Sequence, residues 1–186
     1  TLNNLALLYL SFGKYSRAEA NLKFCIAIIG KTIGSEHHYM SNCLGNLGHL
    51  YIKLGKYSRA EPLLLRALEI REKAQGEEHP HTAVSLNSLA RLYQVQVEYK
   101  KAEHFARRGL QIELTLIQRE SPFLATSDRQ AFVKSFGRAF EKVFSGSTRS
   151  TGAKLAFFSR LNRQGLLEEI EKRQAQLSAL PGPQQE

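Results

Sequence analysis

The residues of this chain that could perform nucleophilic or metal chemistry are its histidines and cysteines. A zinc site needs three or four such ligands in close proximity, and neither Cys25 nor Cys43 is spaced from the histidines to complete one. His37-His38 and His79-Pro80-His81 instead recur 42 residues apart, which indicates a structural role in two equivalent turns. We therefore predict no metal site and no catalytic residue. The histidines are His37, His38, His49, His79, His81 and His104.

The cysteines and the hydropathy bear on the cellular compartment. The chain starts Thr1-Leu2-Asn3-Asn4, without a basic signal-peptide region. Two cysteines in a chain without a secretory signal are typically reduced and buried, so we expect Cys25 and Cys43 to stay unpaired. No apolar run approaches the roughly 20 residues that span a bilayer. A cytoplasmic location is expected by default.

A glycine-containing connector, Gly146-Ser147-Thr148-Arg149-Ser150-Thr151-Gly152, superficially suggests a phosphate-binding loop. The motif requires four residues between the glycines and a lysine directly after the second one. Here the spacing is longer, and Lys154 does not directly follow Gly152. No Gly-x-Ser-x-Gly nucleophile motif is present either. We predict that the chain is not an enzyme and binds no cofactor.

An internal repeat dominates the first two thirds of the chain. The segment Gly13-Lys14-Tyr15-Ser16-Arg17-Ala18-Glu19 recurs as Gly55-Lys56-Tyr57-Ser58-Arg59-Ala60-Glu61, 42 residues later, and more weakly as Val97-Glu98-Tyr99-Lys100-Lys101-Ala102-Glu103. Leu5, Leu47 and Leu89 keep the same offset, as do Tyr9, Tyr51 and Tyr93. A repeated unit of this length predicts an array of stacked supersecondary units.

Each unit is predicted to contain two helices. Leu44, Leu47, Leu50 and Tyr51 follow helical spacing, and Gly55 ends that helix. Ser58 and Glu61 predict a capping box for the second helix, with Pro62 in its first turn. The second apolar stripe consists of Leu64, Ala67, Leu68 and Ile70, and Gly76 ends it before His79-Pro80.

Small residues are predicted where the paired helices approach each other, at Gly48, Ala90, Ala18, Ala60 and Ala102. The pattern Leu44-x-x-Leu47-Gly48-x-x-Tyr51 with Ala60 and Leu64 resembles the tetratricopeptide repeat, with Leu replacing the usual Trp and Phe. Glu72 stands where the family has its closing Pro. The 42-residue unit and the Gly-Glu-Glu-His-Pro connector resemble the kinesin-light-chain subtype, over residues 1–118.

Stacked helix pairs form a concave groove lined by the first helix of each pair. Asparagine is a poor helix former, so its recurrence on these helices has two explanations. The amides bind the backbone of an extended peptide, or they bond the neighbouring repeat and set the stacking. The resemblance to kinesin light chains implies short acidic peptides as ligands. The candidate peptide-binding residues are Asn3, Asn4, Asn42, Asn46, His49, Lys53, Asn87, Ser88, Arg91 and Gln94.

After about residue 120 the repeat fails. Ser127 and Gln130 predict a new helix start, and Phe132, Phe136, Phe140 and Phe144 predict an aromatic stripe that covers the last repeat. A final helix is predicted from about Ala153 to Leu180. The segments Ser127–Phe132 and Phe158–Ile170 resemble the region that precedes the caspase-like domain of bacterial TPR–CHAT proteins. That resemblance implies a downstream CHAT domain in a longer protein.

Together these features predict an all-α fold: a right-handed superhelical array of three helix pairs with a two-helix C-terminal tail. The predicted boundaries are residues 1–36, 37–78 and 79–120 for the repeats and 121–186 for the tail, and the first repeat is expected to lack its upstream part. The predicted function is a protein-interaction scaffold for an acidic peptide.

Two alternatives remain open: a regulatory fragment of a CHAT protease, and a basic nucleic-acid binder, since the net charge is +9. The positive charge is spread along the chain, and the repeated tyrosines belong to the core rather than to base-stacking platforms. No membrane partner is predicted.

Overall fold

The computed structural model describes residues 1–120, and within them the chain forms six α-helices and no β-strand. The predicted tail helices lie outside the described residues. The six helices are α1 (Leu2–Ser11), α2 (Tyr15–Thr32), α3 (His38–Lys53), α4 (Tyr57–Gln75), α5 (Pro80–Val95) and α6 (Tyr99–Glu120).

Two compact units divide the chain, Thr1–Ile112 and Glu113–Glu186, and the structure describes only residues 113–120 of the second. In the first unit, each helix from α1 to α4 packs against the next one, and α3 also contacts α1 and α5. Helices α1, α3 and α5 therefore form one layer, and the helix pairs are α1–α2 and α3–α4, as the repeat predicts.

The core of the first unit follows the 42-residue period. Leu47, Leu50 and Tyr51 are buried, and so are Leu89, Leu92 and Tyr93 one repeat later. The second stripe, Leu64, Ala67, Leu68 and Ile70, is buried as predicted. In α1, the equivalent residues Leu5 and Leu8 are 40% and 50% exposed, because no preceding helix pair packs against α1 within the described residues.

The turns confirm the predicted roles of glycine and histidine. Gly13 and Gly55 connect the helices of their pairs with φ of +69° and +71°, a left-handed conformation that costs glycine little. His37 and His79 cap α3 and α5: their Nδ1 atoms accept hydrogen bonds from the backbone N–H groups of Tyr39 and His81 at 3.3 and 3.1 Å. His37 and His79 thus serve as helix caps.

The predicted capping box at the start of α4 is wrong. The cap residue is Lys56, and no side chain caps this end. The backbone N–H groups of Arg59 and Ala60 both reach the carbonyl of Lys56, so the helix starts directly after the Gly55 turn. Pro62 consequently lies in the second turn of α4 rather than in the first, where it has no N–H to donate to the carbonyl of exposed Ser58.

The expectation that both cysteines stay reduced is also wrong. Cys25 on α2 and Cys43 on α3 form a disulfide, with their Cα atoms 6.6 Å apart, within the span that disulfides bridge. The pairing depends on where α2 crosses α3, which local sequence patterns do not reveal. One repeat later the equivalent positions hold Ala67 and Ser85, so α4 and α5 pack without such a bond.

Candidate peptide-binding groove

A cleft of about 210 Å³ opens among α1, α3, α4 and α5. It contains five of the residues predicted for the groove and five that were not predicted. The predicted ones are Asn3, Asn42, Asn46, His49 and Ser88, and the others are Gly45, Leu64, Arg71, Val84 and Ser85.

The other predicted residues do not line this cleft. Asn4 and Lys53 are exposed, and Arg91 and Gln94 are half-buried. Asn87 is only 8% exposed, and a Cβ atom added to Gly109 on α6 would lie 2.7 Å from its Oδ1. The amide of Asn87 therefore packs against the glycine of a neighbouring helix.

The asparagines at the α1 side of the cleft contact each other. Asn46 Nδ2 donates a hydrogen bond of 2.7 Å to Asn3 Oδ1, which joins the first and second helix pairs. This bond corresponds to the second explanation of the asparagines, in which they bond the neighbouring repeat. A primary amide has two N–H donors and an acceptor oxygen, so one bond between two amides leaves capacity for a ligand. Both explanations of the asparagines therefore remain compatible with the structure.

Arg71 on α4 lines the cleft and is a candidate site residue that the sequence analysis missed. Its side chain is 7% exposed, and it reaches the cleft from the second helix of its pair. A signal was present in the sequence: Arg71 follows Leu64, Ala67 and Leu68 at the spacing of their buried stripe, where the first repeat has Ile29. A charged residue on an apolar stripe indicates a specific role, because burying a charge is costly.

Four neutral oxygen atoms hold the guanidinium of Arg71. Nη1 donates to Ser85 Oγ at 2.8 Å and to the His81 carbonyl at 2.9 Å. Nη2 donates to Asn42 Oδ1 at 2.9 Å, and Nε donates to Ser41 Oγ at 3.2 Å. None of the ion pairs within residues 1–120 involves Arg71. Burial lowers the pKa of Arg71, yet a guanidinium stays charged at neutral pH, so the cleft contains an uncompensated positive charge.

His49 lies in the same cleft and is half-buried. Burial and, to a smaller extent, the positive charges of Arg91, Arg71 and Lys53 together lower its pKa to about 4. The imidazole is therefore neutral at pH 7. Its Nε2 lies 3.0 Å from Ser88 Oγ, and Ser88 donates its only hydroxyl proton to the Val84 carbonyl at 2.7 Å. His49 Nε2 must accordingly be the donor toward Ser88, which leaves Nδ1 unprotonated.

Within residues 1–120, no three His, Cys, Asp or Glu side chains come together to hold a metal ion. None of the helices in that range is long and apolar enough to cross a membrane.

Helix pairs that stack with a fixed period and enclose a polar cleft define the chain as a helical-repeat protein. A family model for the tetratricopeptide repeat matches residues 1–73 and 45–112. The chain belongs to the tetratricopeptide repeat family, as its repeat pattern predicted.

Solved structures show the same fold. BtubC (BKLC) from P. vanneervenii aligns with the whole chain at a TM-score of 0.59 and 19% identity, and the alignment covers 66% of BtubC. A putative kinesin light chain from Podosopora anserina, with nearly identical TPR-like repeats, aligns with 96% of the chain at a TM-score of 0.54 and 22% identity. That alignment covers 96% of the Podosopora protein, and a point variant of the same protein aligns equally well with 95% covered. A comparison with curated protein sequences finds no match.

Proposed function

We propose that this chain is a non-enzymatic protein-interaction scaffold that binds an extended, acidic peptide in the cleft among α1, α3, α4 and α5. Tetratricopeptide repeats mediate protein–protein interactions, which supports the general role. The observation that supports an acidic ligand is the buried guanidinium of Arg71, which has only neutral acceptors around it. A carboxylate that enters the cleft would supply the missing negative charge, and a charge-assisted hydrogen bond is stronger than a neutral one.

The surroundings of Arg71 favour an anion in the same way. Each charged group that lowers the pKa of His49 is a cation: Arg91, Arg71 or Lys53. Within residues 1–120, 16 Lys and Arg side chains outnumber 11 Asp and Glu side chains. The walls of the cleft add amides for a peptide backbone, at Asn42 and Asn46, and apolar surface at Val84. We expect affinity on the order of micromolar, about −8 kcal/mol.

The test is a selection of peptides from a random display library on the full chain, followed by titration calorimetry with the selected peptides. The selected sequences should be enriched in Asp and Glu. Arg71→Ile should weaken their binding about ten- to a hundred-fold, because a hydrogen bond to a charged group contributes about 1.5–3 kcal/mol. Isoleucine already occupies the equivalent position 29 in the first repeat, so the fold accommodates it.

Arg66→Ala is the matched control on the same helix. Arg66 is paired with Glu36 and Glu69 outside the cleft, so its removal should leave peptide binding unchanged. Selection of peptides without acidic residues, or equal losses for the two variants, would refute the proposal. Binding of nucleic acid with a steep dependence on salt would instead favour the nucleic-acid alternative. A link to a CHAT protease depends on the tail and stays a prediction, as does a cytoplasmic location.

A further inference from the structure

His49 occupies the position in its repeat where the neighbouring repeats have residues of fixed charge. The equivalent residue is Leu7 in α1, which is always neutral, and Arg91 in α5, which is always positive. His49 is the member of this series whose side chain type has an unperturbed pKa near neutral pH. It lies between the other two in the stack, and it lines the cleft together with Arg71.

Hydrogen bonding fixes which nitrogen of His49 can gain a proton. Nε2 already carries the hydrogen that it donates to Ser88 Oγ, because the Ser88 hydroxyl proton is used on the Val84 carbonyl. Nδ1 has a lone pair and can accept a proton from a buffer acid. The imidazole would then become a cation with a second N–H donor, without loss of the bond to Ser88.

Burial, and after it the charges around His49, explain why the imidazole is neutral in the free protein. Arg91 acts from α5, Arg71 from α4 and Lys53 from one turn further along α3. On α1 the residue that lines the cleft is Asn3, which carries no charge. Burial is the largest part of the cost of ionising His49, and the repulsion between a fourth positive charge and the other three adds to it. An anion in the cleft offsets part of the positive potential of these groups and lowers that cost.

We propose that the cleft takes up a proton together with its acidic peptide, and that the imidazole of His49 carries this proton. The inference rests on the proposed function, because it needs a carboxylate to enter the cleft. Protonation would add a donor at Nδ1 for the ligand and bring a further positive charge to the groove. Binding should therefore strengthen as the pH falls from 7 toward about 5.5, before the carboxylates of the peptide are themselves protonated.

The size of the effect follows from linkage. A nearby opposite charge shifts a pKa by about 1–3 units, and a shift of about two units would bring the pKa of His49 from about 4 to roughly 6. Affinity should then increase about four-fold between pH 7 and about pH 5.5, with an uptake of roughly 0.7 proton per peptide at the lower pH. These values describe the contribution of His49, over and above any titration of the peptide.

The experiment measures binding of a Glu- and Asp-rich peptide, obtained by the selection described above, to the full chain by titration calorimetry. Measurements at both pH values in buffers of different ionisation enthalpy give the number of protons taken up. His49→Gln should abolish the uptake and flatten the pH dependence to that of the peptide. His81→Gln is the matched control. Arg71 also helps to lower the pKa of His81, but the His81 side chain does not line the cleft. This variant should keep the uptake of the parent.

The outcomes separate the two proposals. If no acidic peptide is selected, the proposed function fails, and the proton uptake fails with it. If an acidic peptide binds with equal affinity at both pH values and takes up no proton, only the role of His49 is overturned. Uptake that survives in His49→Gln but disappears in His81→Gln would overturn it too. Should His49→Gln not fold, the histidine resonances of the parent, followed by NMR with and without peptide, decide whether the pKa of His49 rises on binding.

Discussion

Tyr51 Oη donates a hydrogen bond of 2.9 Å to Glu19 Oε1, and Tyr93 Oη repeats this bond at 2.7 Å to Glu61, 42 residues later. In both cases the tyrosine lies on the first helix of one pair and the glutamate on the second helix of the preceding pair. Both tyrosines are buried. Burial and the bond to Glu61 raise the pKa of Tyr93 far above its usual range. The repeated bond therefore fastens each helix pair to the one before it.

Tyr93→Phe removes this bond and should lower the free energy of unfolding by about 1 kcal/mol, the typical net contribution of a hydrogen bond. Chemical denaturation of parent and variant measures the difference. Tyr39→Phe is the control, because Tyr39 is 55% exposed and its change should stay within about 0.5 kcal/mol. Equal stability of Tyr93→Phe and parent would show that the bond contributes nothing to stacking.

Gly48→Ala should lower stability by about 1–3 kcal/mol through overpacking. A Cβ atom there would lie 2.7 Å from Leu64 Cδ2 and Cγ, so the Leu64 side chain or the helices must shift. Gly45→Ala on the same helix has open space around its Cβ position. It should instead raise stability by up to about 1 kcal/mol, the difference in helix propensity. Thermal denaturation compares the two variants, and effects of the same sign would contradict the prediction.

Val97→Gly should stabilise the chain. Val97 has a φ of 66°, at the position that Gly13 and Gly55 occupy in the first two repeats. The left-handed conformation costs an L-residue about 1–2 kcal/mol, partly offset by the greater freedom of glycine in the unfolded chain, so we expect a gain of about 0.5–1 kcal/mol.

Val95→Gly provides the contrast for Val97→Gly. Val95 is the last residue of α5 and is exposed to a similar degree, but it has an ordinary helical conformation. The glycine there should cost about 0.5–1 kcal/mol. If the melting temperature of Val97→Gly were at or below that of the parent, the left-handed conformation of Val97 would not be destabilising.

The disulfide between Cys25 and Cys43 closes a short loop, with 18 residues of separation. Its reduction should therefore lower the free energy of unfolding by about 3 kcal/mol. The double variant Cys25→Ala, Cys43→Ser installs the residues found at the equivalent positions 67 and 85. Its melting temperature should equal that of the reduced parent and should not change when a reductant is added. The prediction would be contradicted if the reduced parent, with two free thiols by mass spectrometry, had the same melting temperature as the oxidised parent.

Much of the fold could be predicted because it depends on local properties of the chain. Leu47 and Leu50 share a helix face because of their spacing alone, and the tight turns at positions 13 and 55 need glycine because of their own backbone conformation. Both properties depend only on residues a few positions away. The repeat then copies these local rules every 42 residues. The capping box at Ser58 failed for the opposite reason: the turn at Gly55 already set the start of α4, and the local motif was overridden.

Half of the cleft could be predicted from the same periodicity, since Asn3, Asn42, Asn46, His49 and Ser88 all lie on first helices. By itself the sequence determined which helix faces are polar and which are buried, because a helical period of 3.6 residues separates the two faces. The tertiary structure decided the rest. Arg71 meets Ser41 and Ser85, 30 residues before it and 14 after it, only because α4 crosses between α3 and α5. The crossing geometry also turns Asn46 toward Asn3 and brings Cys25 to Cys43, and side-chain packing between helices determines that geometry.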